Sequence, residues 1–407
     1  MVVAPRFPYP LDKGDRLTVF NLLKHFAQRH QVALVSFLEP GQRLEDRRHV
    51  EGWVDAIYTL PLSRLGAYRR CLAGALSRRP LQTCYYHDPA MAALLGRAVD
   101  AFRPDLLYAH TIRVGEYPLP HRGARPTVLA MQIAMTLNYG RLARFGRPLP
   151  ARLFYGLEHW KVRTYEPWIA ARFDRCLLIS PADRAALEGA VDNVFLSPHG
   201  VDFEYFSPAP DRVPDPATIV FTGNMGYAPN VDAILYFAAE ILPLIRAGMP
   251  AVRLAVVGTD PARAVRRLAA DPAIEVTGRV PDLRAWLNRA TVAIDPLRIG
   301  AGLQNKVLEG MAMALPMVVT PVANEGIGAP PDEAVLVAET PDAFARAVLG
   351  LLREPARAAA IGRAARRFVV ENWSWQKHFD ALEAEFVALA AGRAAGAPDR
   401  GEAALAP

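Results

Sequence analysis

The chain has 407 residues, 52% of them hydrophobic and 22% charged, which excludes a wholly disordered protein and predicts two or three domains, each with its own core. Three widely spaced cysteines, Cys71, Cys84 and Cys176, exclude a disulfide scaffold or a cysteine zinc site and fit a reducing cytosol. The net charge of +6 is uneven, with 27 Lys and Arg against 18 Asp and Glu in residues 1–202 and 20 against 23 in the remainder.

The opening residues Met1–Arg6 offer no signal-peptide core, and Pro5, Pro8 and Pro10 would break one. No run reaches the roughly 18 apolar residues of a membrane-spanning helix. Residues 32–37, 106–109, 127–130 and 176–179 read as buried strands, separated by helical spacing over 16–29, 88–102 and 152–172. Asp88-Pro89 is an N-cap followed by proline at the first helical position. Residues 65–79 set Arg69, Arg70, Arg78 and Arg79 beside Leu65, Tyr68, Leu72 and Leu76. Such a segment can lie on an anionic membrane surface, although a solvated helix packing its apolar side on the core is the commoner case. Nucleic acid is not expected as a partner, because no Lys/Arg run with interleaved aromatics occurs.

The text turns Pro- and Asp-rich near 201–216, a linker, and the alternation then restarts. Residues 218–221, 253–257, 274–276, 292–294 and 317–319 read as strands, with helices over 232–244, 262–269, 283–289 and 304–313 between them. The expected organisation is a domain over 1–200, a linker over 201–216 and a second domain over 217–365. Helices returning to the first domain follow over 366–390, and a disordered tail covers 391–407. Strand–helix alternation of this kind means doubly wound parallel sheets, whose ligands sit beyond the carboxyl ends of the strands.

Beyond one strand end lies Ile294-Asp295-Pro296-Leu297-Arg298-Ile299-Gly300-Ala301-Gly302-Leu303-Gln304-Asn305-Lys306-Val307-Leu308-Glu309. A glycine loop opening a helix is a natural phosphate cradle, because the first helical N–H groups lack intrahelical partners. Lys306, one of five lysines in the chain, stands in the first turn, where a cation is unfavourable unless an anion shares the site. Glu309 follows at i+3 and could accept from sugar hydroxyls; the alternative is an ordinary surface pair. A second loop, Thr222-Gly223-Asn224-Met225-Gly226-Tyr227-Ala228-Pro229-Asn230, lacks any Lys or Arg, and Asn230 reads as the cap of the helix after it. His110 ends the strand 106–109, on the ligand side of the sheet; a capping or core role is the alternative.

Taken in order, Gly200-Val201-Asp202, Phe221-Thr222-Gly223, Val256-Val257-Gly258, Val276-Thr277-Gly278-Arg279-Val280-Pro281-Asp282 and Asn305-Lys306-Val307-Leu308-Glu309-Gly310 resemble the retaining, family-4 type (group 1) glycosyltransferases. Pro8-Tyr9-Pro10-Leu11-Asp12-Lys13-Gly14-Asp15-Arg16 looks like their first-domain glycine loop. With Tyr165-Glu166 it is similar to the sugar transferases of exopolysaccharide and PEP-CTERM (exosortase) systems. The resemblance implies an α/β GT-B fold, two Rossmann-like parallel-sheet domains facing a cleft. It implies a sugar carried on a UDP- or GDP-linked donor, no metal, and a lipid-linked or polysaccharide acceptor at the inner face of the plasma membrane. Lys306 would neutralise the diphosphate and Glu309 would bind the ribose. Gly302, Leu303, Gln304 and Asn305 would form the cradle, Arg279 and Val280 would face the base, and Gly14, Gly223 and Asn224 would let backbone approach the phosphates. His110 would lie near the transferring sugar, as a catalytic residue with Glu309. The upstream glutamate of the family pair falls at Ala301 and the usual basic pair of the Gly223 loop is absent, so Arg298 is the candidate for the missing charge. An epimerase-like enzyme on the same fold and a non-catalytic nucleotide-binding homologue are the alternatives.

Overall fold

The computed structural model describes residues 1–11, 14–42, 44–144, 149–187, 191–300 and 302–394. Two compact units are present: Met1–Pro198 together with the chain from Gln376 onward, and His199–Trp375.

The first unit is built on a wholly parallel sheet of β1 (Val2–Ala4), β2 (Ala33–Leu38), β3 (Ala56–Pro61), β4 (Leu107–His110), β5 (Thr127–Gln132), β6 (Arg175–Leu178) and β7 (Val194–Leu196). Its order is β3-β2-β1-β4-β5-β6-β7. The central strands read as uninterrupted apolar runs because helices cover both faces of the sheet. Val3, Val35, Ala109 and Leu129 are fully buried in one core cluster. The chain winds outward from β1 to β3 and then returns to β4 on the other side of β1. The switch between β1 and β4 opens a crevice at their carboxyl ends.

The second unit repeats the plan with β8 (Thr218–Thr222), β9 (Arg253–Val257), β10 (Ile274–Gly278), β11 (Val292–Asp295), β12 (Met317–Val319) and β13 (Leu336–Val337). The order is β10-β9-β8-β11-β12-β13, again all parallel. Here the switch falls between β8 and β11. Asp88 caps its helix as expected, its Oδ1 accepting from Ala90 N at 3.0 Å with Pro89 at the first position.

Three expectations are corrected. Residues 201–216 do not form a free linker: Val201 is buried and pairs with Ser374, and Phe203 and Phe206 pack on the second core. No boundary falls at 365, because the helix Pro355–Asn372 runs through it and buries Ala358, Ile361, Ala365 and Val369 in that same core. The last helix, Trp375–Ala394, continues past 390, carried by an alanine-rich stretch of high helix propensity. The rest of the expected tail, 395–407, lies outside the described residues. Among the described residues no helix is long and apolar enough to cross a membrane.

Candidate donor-binding site

At the β8/β11 switch the sequence places Asp295 as the last residue of β11, wholly buried. The loop after it runs to the helix Asn305–Ala312, whose second residue, Lys306, reaches back toward β11. Lys306 Nζ donates to Asn230 Oδ1 at 2.9 Å and lies 3.2 Å from both carboxylate oxygens of Asp295. The ammonium also sits 5.3 Å from the centre of the Phe221 ring. Burial pushes the Asp295 carboxyl up, and Lys306 pulls it back down without cancelling the rise. Lys306 is thus a mostly buried cation at the opening turn of a helix, paired with a buried carboxylate, and not the exposed surface pair that was the alternative.

Asn230 links Lys306 to the loop after β8. Its Nδ2 donates to Asn224 O at 3.0 Å, while Asn224 Oδ1 accepts from Gly226 N at 2.8 Å and Tyr227 N at 3.1 Å. Asn230 is therefore not the cap the sequence suggested: it lies inside the helix Ala228–Tyr236 and holds the lysine. Gly223 adopts φ +144°, and a Cβ there would stand 2.8 Å from Asn230 Nδ2. Gly258, just after β9 with φ +154°, abuts the same loop so closely that a Cβ would fall 1.6 Å from the Gly223 carbonyl oxygen. Both positions need glycine, and the loop is packed at backbone contact.

Glu309 lies one turn beyond Lys306. Burial pushes its carboxyl up to about 7 against the pull of Lys306, so it changes charge near neutrality. Asn305, at the first helical position, keeps a buried Oδ1 with no protein partner, which a ligand donor could satisfy. Gln304 is the N-cap without a side-chain cap bond. Gly302 is buried at φ +73°, its carbonyl against Gly326, and Leu303 packs on the core. Ala301 lies outside the described residues. Arg279 is exposed just past β10, and Val280 beside it packs on the core.

Arg298, the candidate for the missing charge, is already paired. Its guanidinium is bidentate to Asp232, Nε to Oδ2 at 3.0 Å and Nη2 to Oδ1 at 2.8 Å, and stacks 4.1 Å from the Tyr236 ring. Arg298→Ala is expected to leave nucleotide affinity within about threefold of wild type in a calorimetric titration. Its stability cost should be about 1 kcal/mol or less, because the pair is partly exposed and solvent-screened.

In the first unit His110 ends β4 at the β1/β4 switch and is wholly buried. Its Nδ1 meets the Tyr108 hydroxyl at 3.1 Å and its Nε2 has no protein partner. Burial lowers its pKa to about 4, with Asp15 opposing and Arg113 and Arg6 assisting, so the ring is neutral at pH 7. In the tautomer where Tyr108 donates to Nδ1, the neutral ring carries its proton on Nε2, which is then a hydrogen-bond donor for a ligand. Sequence reasoning missed the charges around it. Arg6 pairs with Asp15 and, at 2.9 Å, with Glu39; Glu39 also takes Arg16 at 2.7 Å, and Arg113 stands 3.6 Å from Asp15. Burial would raise Asp15, but Arg6 and Arg113 hold it down to about 2. Gly14 is exposed at the start of the helix Gly14–Phe26, just past this cluster. Tyr165 and Glu166 are architectural: Tyr165 donates to Glu116 at 2.9 Å, and Glu166 accepts from Met135 N at 2.7 Å and Thr136 N at 2.9 Å at the start of the helix Met135–Arg144.

The sequence model of the family described as glycosyl transferases group 1 matches residues 216–354. Over 209 residues the chain is 31% identical to the GDP-mannose-dependent alpha-(1-6)-phosphatidylinositol monomannoside mannosyltransferase of Mycolicibacterium smegmatis. That match covers 44% of this chain and 52% of the relative, so the chain spans about half that protein's length. The lipopolysaccharide core biosynthesis mannosyltransferase LpcC of Rhizobium leguminosarum bv. viciae is 25% identical over 61% of this chain and 75% of its own. The sucrose-phosphate synthase of Thermosynechococcus elongatus superposes with a TM-score of 0.71 over 96% of this chain and 100% of its own, at 17% identity. Residues 216–354 match that family, and the two parallel-sheet units have the GT-B fold.

The family match takes in Asn230, Asp295, Lys306 and Glu309, and excludes the cluster around His110. The half of the sequence with the recognisable loops is thus the half that holds the buried lysine.

Proposed function

We propose that this protein is a glycosyltransferase that moves a sugar from a nucleotide-diphosphate donor to a lipid-linked or polysaccharide acceptor, with retention, in exopolysaccharide or cell-surface glycan synthesis. The observation that carries the reading is Lys306, a nearly buried cation at a helix start on the sheet's switch point. The donor diphosphate would sit on Lys306 and the free N–H groups of that helix, and Glu309 would accept from the ribose hydroxyls. In the transfer, the bond from C1 to the diphosphate breaks while the acceptor oxygen bonds to C1 on the same face, and the acceptor's proton passes to the departing diphosphate oxygen. The charge that develops there is met by Lys306 and helix N–H groups, so no metal is required in this scheme. His110 Nε2 is the proposed donor to a sugar hydroxyl. GDP-linked hexoses are the first donors to try, because the mycobacterial relative is a GDP-mannose-dependent mannosyltransferase, with UDP-linked sugars beside them. The acceptor is proposed to lie at the inner face of the plasma membrane, met through the basic first half of the chain.

The test incubates the full chain with labelled GDP- and UDP-sugars and native membrane extract, and analyses the products. Free nucleoside diphosphate together with a glycosidic product that keeps the donor's anomeric configuration is the expected result. Recovery of an epimerised nucleotide sugar would establish the epimerase alternative, and nucleotide binding without turnover of any donor would establish a non-catalytic protein.

A further inference from the structure

Sixteen large apolar side chains are exposed among the described residues, and nine of them fall on two neighbouring segments of the first unit. On the helix Arg64–Ala73 and the turn after it, Leu65, Tyr68, Leu72 and Leu76 are 63–101% exposed. Steps of three and four set the helical members on one face, away from the buried Ala67. The sequence suggested that this face would pack on the core; the structure turns it outward.

The second segment gave no signal in the sequence. On the helix Leu149–Ala170, Leu149, Leu153, Leu157 and Trp160 share one face and are 48–66% exposed; Phe154, 46% exposed, stands off that face. The four stripe residues are set apart from the side that buries Glu158, Val162 and Tyr165. Two buried contacts clamp this helix to the turn carrying Leu76: Lys161 Nζ donates to Ala75 O at 2.9 Å, and Glu158 Oε2 accepts from Leu81 N at 2.9 Å. The two segments that carry the stripes are therefore fastened together.

Charge frames them on one side of the sign only. Residues 62–80 contain five arginines and no Asp or Glu, and residues 135–164 contain five arginines, Lys161 and the single acid Glu158, which is buried. Arg64, Arg69 and Arg78 on the first segment and Arg152 and Arg163 on the second are exposed.

We propose that these two fastened helices dock on an anionic lipid bilayer, with the leucines and Trp160 entering the headgroup boundary and the arginines meeting lipid phosphates. Apolar side chains ringed by arginine on an outward helical face are what an interfacial helix presents to lipid. A second copy of the chain fits worse, because a self-complementary contact through the stripes would set arginine rims of the same sign against each other. Nucleic acid would satisfy the arginines but leave the leucines uncovered. The inference gives the acceptor reading above its membrane-facing surface and rests on it for purpose, though not for geometry.

Flotation of the full chain with phosphatidylcholine vesicles, with and without about one-third phosphatidylglycerol, tests it. Wild type should float with the anionic vesicles, at least about tenfold less with neutral ones, and less as salt rises. Two double variants, Leu72→Ser with Leu76→Ser and Leu153→Ser with Trp160→Ser, should each weaken flotation about tenfold or more. Because these side chains are exposed, both variants should keep the wild-type melting point and its shift on adding GDP or UDP. Variants that float like wild type, or a wild type that stays with neither vesicle, would overturn the proposal. So would a wild-type dimer that the leucine variants turn into a monomer while lipid binding stays the same. Loss of sugar transfer with flotation intact would count against the donor-site reading and not against this surface.

Discussion

Lys306→Met is expected to lower folding stability by on the order of 3–5 kcal/mol, because it strands the wholly buried Asp295 carboxylate without its counter-charge. The second variant, Lys306→Met with Asp295→Asn, removes both charges and should recover most of that loss. Nucleotide affinity should not recover in either. Losing a charge-assisted bond to phosphate costs about 1.5–3 kcal/mol, roughly a tenfold to hundredfold rise in Kd. Urea unfolding and nucleotide titration of wild type, single and double variant separate the two effects. A double variant that regains stability and binds nucleotide like wild type would leave Lys306 a structural residue only.

The second large effect concerns Glu309 and pH. Its carboxyl, raised to about 7 by burial, is half ionised near neutrality, and the ionised form accepts hydrogen bonds about twice as strongly as the neutral one. Donor turnover should therefore rise as pH climbs from 6 to 8 through that pKa of about 7. Glu309→Gln should match wild type at the low end, fall about tenfold or more behind it at the high end, and show no step between. Stability moves the other way. Between the ordinary carboxyl value and 7 the folded state holds the proton that the unfolded state has already lost, so this group makes the wild type less stable as pH rises. The Gln variant should be spared that loss. A pH–rate profile unchanged by the substitution would remove Glu309 from the donor site.

The candidate donor loop was legible because its chemistry is local. A strand end, glycines and a lone lysine at a helix start lie within a few residues, and the structure keeps them together. What escaped the reading arrives from far along the chain. Asp295 read as a strand end because nothing nearby says that Lys306 turns back onto it. Arg298 read as a phosphate ligand because Asp232, which occupies it, is 66 positions away. Arg6, Asp15 and Glu39 meet only after β1 and β2 pair, and β1, at three residues, is too short to show a period. The parallel sheets themselves were plain from their apolar runs, whereas the stripe at Leu65–Leu76 was not. Apolar spacing fixes which side chains share a helical face but not whether that face meets protein or solvent.

The return of the helix Trp375–Ala394 to the first unit sets an order of events during synthesis. Phe386 lies 5.3 Å from Phe26 and 6.0 Å from Tyr108, and Phe379 is 5.4 Å from His25, so rings near the end of the chain cover apolar surface made near its beginning. At about 5–20 residues per second, tens of seconds pass on the ribosome before that cover emerges. Most of the second unit, continuous from His199 to Trp375, is synthesised in the interval. The first to be translated is thus the last to be finished, and until then its helix Gly14–Phe26 is a surface for chaperones to shield.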